Sequence, residues 1–239
     1  MSPATAAPIT ILSSGSATGA VARNDSGTSA FQYTNDNPAI DGVTRSAAIG
    51  GNSASMDLSI TDSGNSAVIG AITTQTREGG IVSLTLLNIG DGTTANSLRF
   101  TADVSARYAF AGSLLDSGGA GGQLSIVARL WDITAGNVQL FFQNSDSFQD
   151  PVGNLVIGVP GGDLLGAFFG SPTGNLIAGQ EYSLTMRFRD EAVGPVDGGY
   201  SAVGNFAFTV TADVPETETA LLLALGLGAM WRRRSLKPA

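Results

Sequence analysis

The sequence predicts an all-β protein: an antiparallel β-sandwich, jelly-roll-like, followed by a short C-terminal apolar helix. Three observations predict it. Apolar residues recur at every second position in several runs, as side chains on one face of a strand do. Clusters of Gly, Asn, Asp and Ser separate those runs. Between residues 8 and 213 no segment carries the apolar spacing of an amphipathic helix.

The chain divides into a head (1–7), a β body (8–213) and a tail (214–239). In the head, Ala4-Thr5-Ala6 has the small-x-small form of a signal-peptidase site, so one reading of the head is the remnant of such a cleavage; the other is a disordered Ala/Ser/Pro terminus. Ala54, Met56, Leu58 and Ile60 alternate with Ser55, Asp57 and Ser59, which predicts a strand with one dry and one wet face. Residues 81–89 are apolar on both faces, and the reading places them centrally in a sheet or under a covering loop, with Gly90-Asp91-Gly92 as the turn beyond. Leu98, Phe100, Ala102, Val104, Ala106, Tyr108 and Phe110 make an unbroken alternation that reads as one strand. Its apolar face needs a second sheet to cover it, because burial against a single layer does not offset the backbone entropy lost.

The glycines from Gly118 to Gly122 break the chain again. They lack the lysine and following helix of a phosphate loop. Residues 124–133 and 138–142 are apolar on both faces, and Thr134-Ala135-Gly136-Asn137 between them fits a four-residue hairpin. Residues 163–169 offer at most one helical turn, weakened by Gly166. Tyr182, Leu184, Met186 and Phe188 predict a further strand, as do Phe206, Phe208, Val210 and Ala212. The stretch from Arg189 to Gly204 reads as a long connection, and such connections carry binding residues when they are ordered.

Composition excludes several chemistries. The 239 residues include no cysteine and no histidine. A thiol nucleophile, a disulfide framework, an imidazole base and a His-based zinc site are therefore absent. Charged residues are 13%, about half the usual share, so the surface meets water mainly through hydroxyls and amides. The net charge of −8 divides unevenly. Up to Asp213 there are eighteen acids and eight arginines; beyond it there are two acids and four basic residues. A body so acidic, and without lysine, predicts no nucleic-acid partner.

Three kinds of site remain open. Carboxylates are the main hydrolytic groups left, but Glu78, Glu181 and Glu191 form no recognisable motif, so a glycan hydrolase or lyase is the third reading and the body is read as non-enzymatic. Asp36 with Asp41, and Asp146 with Asp150, lie in Asn/Asp clusters that offer oxygens to a structural calcium, the one cofactor considered. The same residues favour turns for local reasons, and neither cluster has the spacing of a calcium-binding helix–loop–helix. Sugar binding uses aromatic platforms. Trp131 shares a face with Val127, Arg129 and Ile133, opposite Leu124, Ile126 and Leu130; Tyr200, with Tyr33 and Asp197, is its candidate companion.

The tail differs in kind. Val214-Pro215-Glu216-Thr217 is followed by an uncharged run, with Ala220, Leu221, Leu222, Leu223, Leu225, Leu227, Met230 and Trp231, and then by Arg232-Arg233-Arg234. As a helix, the twelve residues 220–231 span about 18 Å, short of the ~30 Å hydrocarbon core, so a span needs local thinning or snorkelling. The arginines favour the cytoplasmic side, with Trp231 at the boundary. An apolar helix docked on the sandwich is the alternative.

These three parts in order resemble a PEP-CTERM sorting signal. The likeness covers residues 214–239; Pro215 and Glu216 match the first motif positions, and Thr217 stands where proline is usual. The resemblance implies an exosortase-type membrane protease as partner and transient anchoring in the inner membrane. It also implies delivery to the cell surface or to the exopolysaccharide matrix of a biofilm-forming Gram-negative bacterium. The expectation is a secreted, non-enzymatic β-sandwich of the surface or matrix, with a carbohydrate-binding module acting on exopolysaccharide as the alternative.

Overall fold

The computed structural model describes residues 7–12, 18–34, 42–78, 84–90, 97–118, 122–149, 155–158, 166–167, 172–192 and 200–213. In chain order the strands are β1 (Ile9–Ile11), β2 (Thr18–Arg23), β3 (Ser29–Thr34), β4 (Val43–Ile49), β5 (Asn52–Asp62), β6 (Ser66–Arg77), β7 (Leu84–Ile89) and β8 (Leu98–Ala102). There follow β9 (Ala106–Gly118), β10 (Gly122–Asp132), β11 (Val138–Gln149), β12 (Leu155–Gly158), β13 (Gly166–Ala167), β14 (Thr173–Leu176), β15 (Glu181–Ala192) and β16 (Tyr200–Ala212). No helix occurs among the described residues.

The strands form two antiparallel sheets. The first runs β12-β11-β10-β15-β7-β2-β3, with β8 beside β15 and β1 beside β8. The second runs β13-β9-β16-β6-β5-β4, with β14 beside β9. The neighbours β9, β16 and β6 of the second sheet are adjacent in the chain to β10, β15 and β7, which are neighbours in the first: β10 follows β9, β7 follows β6, and β15 precedes β16. The strand ends at these three sheet changes lie together at one end of each sheet, so the sandwich is a broad ribbon folded over on itself.

The inward alternate positions of both sheets meet in one core. Its centre is aromatic. Phe208 of β16 lies 5.7 Å from Phe100 of β8 and 5.8 Å from Tyr108 of β9 between ring centroids. Phe141 of β11 packs on Phe110 of β9, and Phe188 of β15 on Phe206 of β16 at 4.4 Å. Such pairs bury large apolar area and add about 0.5–1.5 kcal/mol each beyond it. At the free edges, the Ser46 N–H of β4 donates to Gln32 Oε1 of β3, and Arg45 Nε donates to Thr18 Oγ1 of β2. These bonds close one side of the sandwich and occupy part of an otherwise open strand edge.

Three expectations need correction. The run from Leu98 to Phe110 is not one strand. It leaves the first sheet as β8 at Ala102 and enters the second as β9 at Ala106. The alternation persists because both halves face the same core. The connection read as Arg189 to Gly204 is shorter, since β15 extends to Ala192 and β16 begins at Tyr200. Tyr200, inside that connection as read, opens β16, and Tyr33 lies in β3. Within residues 163–169, Gly166 and Ala167 form β13, where a helical turn was considered. The four-residue hairpin is present: Asp132 Oδ1 accepts the Ala135 N–H at 2.8 Å, and Gly136 and Asn137 both take positive φ.

Candidate functional site

The two wet faces of the sandwich differ in chemistry. On the second sheet the outward positions carry Thr44, Ser46, Ser55, Ser59, Thr74 and Thr209 among other small residues. Asp57 and Arg107 are the only charged residues at outward strand positions of that sheet among the described side chains. Ile72 and Val203 lie among them with 55% and 46% exposure. Toward one edge, Arg107, Ala109, Thr173, Asn175, Thr209 and Thr211 line an open cleft of about 560 Å³. There Arg107 Nε lies 3.2 Å from Asp213 Oδ1.

The first sheet's outer face carries the candidate aromatic. On β10, Ala128 and Leu130 point into the core, while Arg129 and Trp131 stand half-buried on the opposite face, as their alternation requires. A β-bulge between Leu130 and Trp131 shifts the register against β11. The Trp131 indole N–H is shielded from solvent and finds no acceptor among the described residues. Trp131 stands opposite Ser183 of β15, which in turn stands opposite Arg99 of β8.

This part of the sheet has a local cause. β7 ends at Ile89 and β8 begins at Leu98, and both pair with β15, end to end. Near the facing ends of β7 and β8 lie buried polar groups. Ser183 Oγ bonds Ser97 Oγ, and Asn88 Nδ2 donates to the Gly90 carbonyl at 2.6 Å. Ser183 and Thr185 are 0% and 3% exposed although they point away from the core. Glu181 forms an ion pair with Arg99, and its backbone N–H donates to Thr134 Oγ1 at 2.9 Å.

The structure separates several residues that the sequence grouped. Trp131 belongs to the first sheet and Tyr200 to the second. Tyr200 pairs with Gly118 at the end of the sheet changes. Trp131 lies at the far end of β10, about 30 Å from Gly122 at about 3.3 Å per residue. Asp197 and the Tyr200 side chain lie outside the described residues. Glu78 follows β6 and lies over the Gly50-Gly51 turn, where a Cβ on Gly51 would meet the Glu78 Cγ at 2.5 Å. Glu181 opens β15 at the other end of the sandwich, so those two carboxylates do not share a cleft. Asn144 and Asp146 hold paired positions within β11 rather than a loop. Asp36, Asp41, Asp150 and the whole tail, 214–239, lie outside the described residues. Among the described residues, no helix is long and apolar enough to cross a membrane.

Sequence reasoning missed the polar end of the core. Thr73, Gln75 and Arg77 of β6 all point inward and are 1%, 1% and 0% exposed. Gln75 Nε2 donates to the Phe188 carbonyl, and Arg77 Nη1 to the Glu78 carbonyl. Asn52 joins this end: its Oδ1 accepts the Glu78 N–H at 2.6 Å, and its Nδ2 donates to the Arg23 carbonyl. The available signal was phase: Ala67, Ile69 and Ala71 fix the inward positions, and the polar residues continue them.

The chain matches no protein-family model and no curated protein. Among solved structures it is similar to a chain from the structure of the infectious bursal disease virus Gx strain. The identity is 12% over 90% of this chain and 81% of that one, and the TM-score is 0.16. A superposition that poor carries no argument. Fold and site rest on this chain's own geometry.

Proposed function

We propose that the protein is a secreted, non-enzymatic β-sandwich that serves as a surface or matrix component, sorted through its tail. The observation that supports this most is the second sheet's outer face, a wide and charge-poor array of hydroxyls with Ile72 and Val203 among them. Such a face suits extended, low-specificity contact better than capture of a small molecule in a deep pocket. The folded ribbon also agrees with a jelly-roll-like winding.

In the sorting step, residues 220–231 form a short apolar helix held in the inner membrane with Arg232, Arg233 and Arg234 on the cytoplasmic side. An exosortase-type protease then cuts near Pro215-Glu216 and releases the body. Mass spectrometry of the C-terminus, on protein washed from the extracellular matrix of the producing cells, tests this. The expected chain ends near Pro215-Glu216; an intact chain ending at Ala239 in that fraction overturns the sorting step.

A second reading, carbohydrate binding, is favoured by Trp131. Trp131 stands half-buried on the outer face of the first sheet, and its indole N–H, shielded from solvent, finds no acceptor among the described residues. The accessible part of the ring offers a sugar a stacking platform. The expected effect of Trp131→Ala is a loss of glycan retention in affinity electrophoresis with no change in circular dichroism.

A further inference from the structure

At one rim of the second sheet, three strands present a small polar grid. Thr209 of β16 and Thr173 of β14 stand opposite Ala109 of β9, one on each side. Two residues along, Thr211 and Asn175 flank Arg107 in the same way. These outward side chains border the open cleft of about 560 Å³, and the small Ala109 between two threonines leaves its hollow. The local structure holds this grid in place. Gly174 of β14 faces Tyr108, whose phenol oxygen lies 2.5 Å from where a Cβ on Gly174 would stand, so glycine lets the strand lie this close. The Phe110 N–H donates to the Pro172 carbonyl at 3.0 Å, which anchors the start of β14. On the other side, the Asp213 N–H donates to the Ser105 carbonyl at 2.8 Å. That bond keeps the Asp213 carboxylate beside Arg107, with Nε 3.2 Å from Oδ1. The Arg107 side chain is 78% exposed, so Nη1 and Nη2 stay open to a ligand, as does Asp213 Oδ2.

We propose that this cleft binds a neutral polysaccharide through the hydroxyls of one sugar ring. The proposal rests on the matrix reading and deepens it: a neutral matrix glycan is what the second sheet's outer face holds, at a site on the opposite sheet from Trp131. A guanidinium only donates hydrogen bonds, a carboxylate only accepts them, and a sugar hydroxyl does both. Two neighbouring hydroxyls of one ring therefore satisfy the pair. One accepts from Arg107 and the next donates to Asp213, and both bonds are charge-assisted. The threonine hydroxyls and the Asn175 amide add donors and acceptors around the ring, while Ala109 and the threonine methyls meet its C–H surface. Among the described residues no strand pairs with the far side of β14, so the cleft is open at the rim and takes a sugar inside a chain as well as at its end.

An acidic polysaccharide fits less well. Asp213 offsets the charge of Arg107, and up to Asp213 eighteen acids face eight arginines, so a polyanion meets net repulsion. One shallow site holds a sugar weakly, but a polymer that offers the same sugar many times to many copies of the body is held by multivalency.

The test is affinity electrophoresis of the full chain in native gels carrying dextran, galactomannan or polygalacturonate, with mobility taken relative to a gel without polysaccharide. The expected result is retardation by a neutral polysaccharide and none by polygalacturonate, changed less than about twofold between about 50 and about 300 mM NaCl. Arg107→Gln, Asp213→Asn and the cleft-filling Ala109→Leu should each weaken that retardation about tenfold, with unchanged circular dichroism. Arg107 and Asp213 are exposed, so their variants serve if Ala109→Leu does not fold. A fall with the cleft variants supports the cleft whether or not Trp131→Ala also weakens retention. Retention that survives all three and is lost in Trp131→Ala overturns the cleft and leaves the Trp131 reading standing. Retardation by polygalacturonate that Arg107→Gln abolishes overturns the ligand class. No retardation by either neutral polysaccharide overturns the proposal, while the sorting step still stands or falls by mass spectrometry of the C-terminus.

Discussion

Gly204 is the position where one added methyl tests the packing between the sheets. It lies on the inward face of β16, opposite Thr73 of β6 and Leu114 of β9. A Cβ there would come 2.5 Å from Thr73 Oγ1 and 2.8 Å from Phe206 Cζ, with the ring's Cε2 nearer still. None of these atoms can retreat cheaply. Phe206 and Thr73 are both 1% exposed, and the Phe206 ring is held against Phe188 of the facing sheet at 4.4 Å. The backbone at Gly204 is an ordinary strand, so conformation alone would favour alanine by about 0.4–1 kcal/mol through the unfolded state. Forcing a methyl into a filled core costs about 1–3 kcal/mol.

The net expectation for Gly204→Ala is a destabilisation of about 1–2 kcal/mol, a fall in Tm of about 2–8 °C for a chain of this length. Urea and thermal unfolding followed by circular dichroism measure it. Because the Phe206 ring makes one of the two clashes, Gly204→Ala combined with Phe206→Leu should cost less than the sum of the two single changes. A Gly204→Ala protein as stable as the parent, or more stable, would refute the claim that this contact is closed.

Two further predictions concern buried polar groups. Asn52→Ala leaves the Glu78 N–H and the Arg23 carbonyl without their side-chain partner at a site that is 0% exposed. The expected cost is about 2–4 kcal/mol, at about 1–3 kcal/mol per unsatisfied group, read as a lower urea midpoint with unchanged slope. Burial raises the Tyr108 and Tyr182 phenols above 10.0; at Tyr182 the Ile177 N–H opposes the shift and Asp132 adds to it. Both therefore ionise more readily in the unfolded chain. Their contribution is fully present below about pH 10 and is lost as pH rises through the higher folded values. Unfolding midpoints should fall above about pH 10, and Tyr182→Phe should flatten that fall.

Period-two patterning made β5, β15 and β16 legible, because Met56, Leu184 and Phe208 each mark an inward phase that polar neighbours confirm. The hairpin at residues 134–137 was legible for a different reason: Gly136 and Asn137 tolerate positive φ. The sheet change between Ala102 and Ala106 was not. Alternation reports which side of a strand is dry, and in a sandwich the dry side is the same core for both sheets. Nor was the polar stretch Thr73-Gln75-Arg77, since burial there depends on Asn52 and on the Phe188 carbonyl, which other strands supply. Trp131 was placed on its face correctly, but its pairing with Tyr200 needed a strand order that no local pattern contains.

The arginines on the outer face of the first sheet show the same limit. Arg187 and Arg189 are visible as neighbours on one strand. Arg99 and Arg129 join them only because β8 and β10 flank β15 in a particular register. A slip of one residue in either pairing would turn its arginine toward the core. The dry faces of Leu98 and Leu130, both 0% exposed, fix that register. The apolar residues that hold the sandwich together thus also set the spacing of the charges on its outer surface. A change in Leu98 or Leu130 that permits slippage would displace Arg99 or Arg129 from that surface as surely as replacing the arginine itself.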